Sequence, residues 1–91
     1  MKKAIRIYLS GAIQAIFYKA FIKENAERYN VKGFIRSLDD GRIELFLEGN
    51  PPEVNKLIEL AQKGPKHTEI KTFEIKDEKF QDIKTFKVLH I

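Results

Sequence analysis

The chain has 91 residues and no cysteine, and its 17 basic and 13 acidic side chains leave a net charge of +4. That length suffices for one domain, spanning residues 1–91, and is too short for two. The missing thiols exclude disulfides, thiolate metal sites and cysteine nucleophiles, and no apolar run approaches the roughly 18 residues of a membrane span. A mild basic balance favours anionic partners only weakly and is equally that of a solvated Lys/Glu-rich surface. The Lys/Ile/Glu bias with a single methionine fits a thermophilic source. His67 and His90 lie far apart without ligand-like spacing, so no metal is expected. Arg6 interrupts the apolar run behind Met1-Lys2-Lys3, which argues against a signal peptide and makes the cytoplasm the expected location.

Ala4 to Leu9 alternates, with Ile5, Ile7 and Leu9 on one face and Arg6 and Tyr8 on the other: a half-buried strand. Ser10-Gly11 breaks that pattern. From Tyr18 the period becomes helical. Tyr18, Phe21, Ile22, Ala26 and Tyr29 form one stripe, and Lys19, Lys23, Glu24, Glu27 and Arg28 fill the outer face, for about three turns. Asn30 is a helix stop. Val31 to Leu38 reads as a second strand, and Asp39-Asp40-Gly41 is a hairpin signal. Arg42 to Glu48 alternates with Ile43, Leu45 and Leu47 inward.

Gly49-Asn50-Pro51-Pro52-Glu53 opens a second helix, with Asn50 as cap and Glu53 at a box-like spacing from it. Val54, Leu57, Ile58 and Ala61 form its buried stripe, and Lys63-Gly64-Pro65 ends it. Ile70, Phe73 and Ile75 mark a fourth strand with an irregular start. Residues 77–82 form a polar connection, and residues 85–91 a short last strand. The phenylalanines Phe21, Phe46, Phe73 and Phe86 read as packing residues. His67 reads as a loop histidine, and Asp39 and Asp40 as turn residues.

The order β-α-β-β-α-β plus a terminal strand predicts a ferredoxin-like α+β sandwich with a mainly antiparallel sheet. Right-handed crossovers place both helices on one face.

Three separated segments resemble the acylphosphatase family. Gly11-Ala12-Ile13-Gln14-Ala15-Ile16-Phe17-Tyr18-Lys19 is similar to its G-x-V-Q-G-V-x-F-R. The segment from Val31 to Glu44 is similar to its G-x-V-x-N followed by D-G-x-V-E. Glu48-Gly49, Lys63-Gly64-Pro65 and Phe86-Lys87-Val88 complete the match. The resemblance implies hydrolysis of carboxyl phosphates to carboxylate and phosphate, without metal or organic cofactor. In the family an arginine and backbone N–H groups grip the phosphoryl group, and an asparagine positions the attacking water. By position these two fall at Lys19 and Ser37. The phosphate-binding loop falls at Gly11, Gln14, Ala15, Ile16, Phe17 and Tyr18, and its second glycine is replaced by Ala15.

Both catalytic positions are therefore changed. Lysine is a point charge and cannot make the planar two-pronged contact of a guanidinium. Serine offers one short hydroxyl in place of an amide. Ala15 and Phe17 restrict a backbone that glycine leaves free. Lys19, read as lying in the first helical turn, is slightly unfavourable for the helix but well placed for an anion. The expected function is phosphate or anion binding with hydrolysis weakened by about a thousandfold or more. The alternative is an active acylphosphatase in which Lys19 and Ser37 substitute functionally. A third reading, RNA binding, rests on the shared element order and on Lys32-Gly33-Phe34-Ile35, which lies in the wrong strand for an RNA-recognition motif. The expected partner is a small phosphorylated or anionic ligand, with no membrane partner, and the expected state is a monomer.

Overall fold

Alternation in the first strand, β1 (Lys3–Ala12), turns Ile5, Ile7 and Leu9 to one side, where each is at most 1% exposed. The computed structural model describes residues 1–89. After β1 come α1 (Ala15–Arg28), β2 (Lys32–Ser37), β3 (Ile43–Gly49), α2 (Pro51–Lys63), β4 (Glu69–Asp77) and β5 (Phe86–Leu89). The five strands form one sheet in the order β4-β1-β3-β2-β5. Pairings β1–β3, β1–β4 and β2–β3 are antiparallel, and β2–β5 is parallel. The sheet is thus mixed, because the last strand enters beside β2 in the same direction. Of the predicted last strand, residues 90 and 91 lie outside the described residues.

Both helices pack on one face of the sheet. Tyr18, Ile22 and Ala26 of α1 and Val54, Leu57 and Ala61 of α2 share a core with Ile5, Ile7, Leu9, Ile35, Leu45 and Leu47. Helix α1 starts three residues earlier than the apolar stripe predicts, and spans about four turns. Its first turn presents Ile16 and Phe17 to solvent, 75% and 64% exposed. Two apolar residues on an outward face hid the helical period there. Asn50 occupies the cap position of α2 as expected, but its side chain makes no capping hydrogen bond. Phe46 and Phe86 are buried, and Phe21 and Phe73 are partly so.

Alternation understates the burial of β3, since all seven of its residues are buried. Its second face is covered by other means. The Glu44 carboxylate bonds the guanidinium groups of Arg6 and Arg36, the latter at 2.6 Å. Arg6 also lies over the Phe46 ring at 5.1 Å, and Phe46 stacks on Phe34. The third residue on this face, Glu48, is 0% exposed. It accepts hydrogen bonds from the backbone N–H groups of Gln81, at 2.7 Å, and Ile83.

That bond pair answers a topological demand. Strands β4 and β5 lie on opposite edges, four inter-strand steps or roughly 19 Å apart. The connecting residues 78–85 reach about 27 Å when extended, so they must take a direct path across the sheet's second face. Glu78 N–H to Ala4 O anchors one end, and Gly33 N–H to Thr85 O the other, both at 3.0 Å. Asp82, at φ 58°, turns the chain between the two N–H groups that meet Glu48. Glu48→Gln is expected to lower stability by about 2 kcal/mol, because one N–H of the connection loses its carboxylate oxygen. Urea unfolding followed by circular dichroism measures this.

Candidate active site

The end of β1 sets the geometry of the loop. Its register against β4 shifts between Ser10 and Gly11. Gly11 has φ 153°, and a Cβ there would lie 2.1 Å from Glu69 O and 2.8 Å from Lys71 N. Only glycine fits, and the reason is the close approach of β4. Gly11 therefore belongs to strand packing, whatever the loop binds.

Gln14 then takes the cap position of α1 with extended backbone, φ −86° and ψ 97°. Its carbonyl accepts from Phe17 N–H at 3.1 Å and Tyr18 N–H at 3.0 Å. The N–H groups of Ala15 and Ile16 have no acceptor among the described residues. The first turn holds no acidic side chain and no side-chain cap, so the positive helix end is left unneutralised. Ala15, Ile16, Phe17 and Tyr18 are all helical, so the expected loop is in fact a helix start.

Tyr18 is a correction to the expected site. Its ring is fully buried and its hydroxyl donates to Ala61 O in α2 at 2.7 Å. Neither its side chain nor its N–H faces a ligand. It fixes the helix start onto the second helix instead. Phe17, by contrast, points outward and does not pack in the core.

Lys19 is the fifth residue of α1, in the second turn, because the helix begins at Ala15 rather than Tyr18. It is half-buried and has no carboxylate within ion-pair distance among the described residues. Lys23, one turn on, is paired with Glu27 at 2.8 Å. Lys19 and Lys23, with Ala15, Ile16, Ala20 and Val88, line a groove of about 460 Å³ between α1 and β5. Lys23, Ala20 and Val88 were not among the residues expected in the site. The i, i+4 spacing of the two lysines is visible in the sequence, but the approach of Val88 depends on where β5 enters the sheet.

Ser37 ends β2 opposite Ile43 and is exposed. With Arg36, Leu38 and Asp39 it borders a separate depression of about 250 Å³, which shares no lining residue with the groove at Lys19. Arg36 is committed to Glu44, as described above. The adjoining turn is held by Asp40, which accepts from Arg42 N–H at 3.0 Å and Arg42 Nε at 2.8 Å. These bonds, the backbone one foremost, hold the Asp40 carboxyl below its usual value. Among the described residues no group of three or more His, Asp or Glu is placed to hold a metal ion. Among the described residues no helix is long and apolar enough to cross a membrane.

An acylphosphatase from Bacillus subtilis shares this architecture with a TM-score of 0.89 at 20% identity, covering 99% of this chain and 100% of that one. The fold is thus the ferredoxin-like sandwich of acylphosphatase structures. The family model for acylphosphatase matches residues 5–88. The chain is 33% identical over 91 residues to an acylphosphatase of Syntrophus aciditrophicus, covering 99% of this chain and 95% of the relative. It is 37% identical over 76 residues to one of Rubrobacter xylanophilus, covering 84% and 69%. The chain belongs to the acylphosphatase family.

The Tyr18 anchor carries a pH dependence. Burial pushes its phenol pKa up, so the folded state keeps the proton where the unfolded chain releases it, near pH 10. Its contribution to stability is present below that pH and is lost as pH rises toward the higher folded value. Tyr18→Phe is expected to cost about 1 kcal/mol at neutral pH through the missing bond to Ala61. The same variant should flatten the loss of stability above about pH 10, read from urea midpoints between about pH 8 and pH 11.

Proposed function

We propose that this acylphosphatase-family domain binds phosphate and acyl phosphates at the start of α1 and hydrolyses them weakly. The observation that carries the reading is the pair of N–H groups at Ala15 and Ile16, on an acid-free helix start beside Lys19, none of which has a partner among the described residues. Such a terminus favours an anion through both its N–H groups and its dipole. In this reading two phosphoryl oxygens accept from Ala15 and Ile16, and the Lys19 ammonium meets the third.

Hydrolysis then needs a water in line with the departing carboxylate. The water oxygen bonds to phosphorus, the phosphorus bond to the acyl oxygen breaks, the carboxylate leaves with the bonding pair, and one proton of the water passes to solvent while the other stays on the phosphate formed. Such transfers depend almost wholly on positioning and charge stabilisation. Both are impaired here. A lysine neutralises charge without fixing two oxygens at once, and Ser37 is a short, exposed hydroxyl. Loss of one preorganised donor lowers rates by about 10²–10³, and two groups acting as a unit do not add simply.

RNA binding is less well supported. On β3 the aromatic residue of the sheet's second face, Phe46, is 0% exposed and lies beneath Arg6, whereas base stacking needs an accessible ring.

Phosphate titrated into labelled protein is expected to shift the amide resonances of residues 15 and 16, with affinity reduced about tenfold in Lys19→Ala. Benzoyl phosphate turnover should be about a thousandfold below that of a relative carrying arginine and asparagine at the two positions. Lys19→Arg combined with Ser37→Asn should raise it at least about tenfold. Full turnover in the unaltered protein, abolished in Lys19→Ala, would make it an efficient enzyme instead.

A further inference from the structure

The groove beside Lys19 has a composition that a bare phosphate site does not need. Four of its six lining residues, Ala15, Ile16, Ala20 and Val88, are apolar. Ala15 and Lys19 follow one another at helical spacing, and Ile16, Ala20 and Lys23 form the adjacent stripe, with Val88 of β5 as the opposite wall. Ala15 and Ile16, whose N–H groups have no acceptor among the described residues, both line it. Its volume of about 460 Å³ lies within the range of small-molecule sites.

Charge decides what can lie in it. Among the described residues that line the groove, the charged side chains are both lysines. Lys23 is paired with Glu27 at 2.8 Å, which leaves Lys19, at the end near the helix start, as the lining cation without a carboxylate partner among the described residues. One free positive charge followed by apolar walls matches a ligand with one anionic head and an apolar tail.

We infer that the groove holds the acyl group of the ligand, and that the protein selects acyl phosphates with apolar acyl chains or rings over acetyl phosphate. This rests on the phosphate-binding reading above and adds the substrate class. The phosphoryl group sits at Ala15, Ile16 and Lys19, and the acyl carbons run along Ala20 toward Val88. A fully buried methylene strengthens binding about fourfold, and an open groove that covers about half of it gives roughly twofold per carbon.

The test uses non-hydrolysable phosphonates on the intact protein, at a pH where all are dianions. Affinities for inorganic phosphate, methylphosphonate, butylphosphonate and benzylphosphonate are measured by amide and methyl shifts. Butylphosphonate is expected to bind roughly eightfold tighter than methylphosphonate, with the Val88 and Ala20 methyl resonances moving only for the longer ligands. Ala20→Gln, at an exposed helical position, should bring the benzyl-to-methyl affinity ratio down toward one. If phosphate shifts residues 15 and 16 but chain length adds no affinity, the acyl-groove inference is overturned and phosphate binding stands. If phosphate itself shifts nothing, both fall together. Shifts of Ala20 and Val88 that depend on protein concentration without ligand would assign the groove to a second copy of the chain, and would also overturn the inference.

Discussion

The fold closes through one buried carboxylate. Placing β4 and β5 on opposite edges of the sheet obliges residues 78–85 to cross its second face. Glu48, on the central strand β3, collects two N–H groups of that crossing. A carboxylate removed from water is costly unless its oxygens are fully used. Here the need of the charge for donors and the need of the crossing for acceptors are met by the same contact. Only after that crossing can β5 lie parallel to β2, and only then does Val88 stand opposite α1. The wall of the candidate site therefore depends on an interaction on the far side of the sheet.

The other wall depends on Tyr18. Its ring fills the core and its hydroxyl reaches α2, so the helix start is pinned from behind while Ala15, Ile16 and Lys19 stay accessible in front. Rigid support beneath an uncapped terminus is what an anion site needs, because the free N–H groups are then preorganised rather than recruited. The same rigidity separates Lys19 from Ser37 in their surroundings. Each borders its own depression, and Arg36, beside Ser37, is tied to Glu44. The two positions that the family motifs single out thus rest on different parts of the framework.

Much of this was legible in the chain itself. Period-two and helical patterns gave the order of elements, and the spaced motifs gave the family. The start of α1 was misplaced because Ile16 and Phe17 are apolar yet exposed, which inverts the usual rule for an outward helical face. Glu44 and Glu48 looked like solvent-facing residues of an alternating strand, since nothing local announces Arg6, Arg36 or the crossing that covers them. Tyr18 fell within the loop motif but serves the core, because the helical stripe turns its ring inward between its more exposed neighbours. Val88 could not be placed at all without knowing which strand β5 joins.

Gly11 invites a different reading from the one its motif suggests. The backbone of β4 leaves no room for a side chain there, so any replacement must displace β4, whatever becomes of the activity. A descendant that had lost all chemistry would still be held to glycine at this point. The residue that most resembles a signature of phosphate binding is therefore held by the scaffold itself, while Ser37 is exposed and Lys19 only half-buried, so that packing constrains them less.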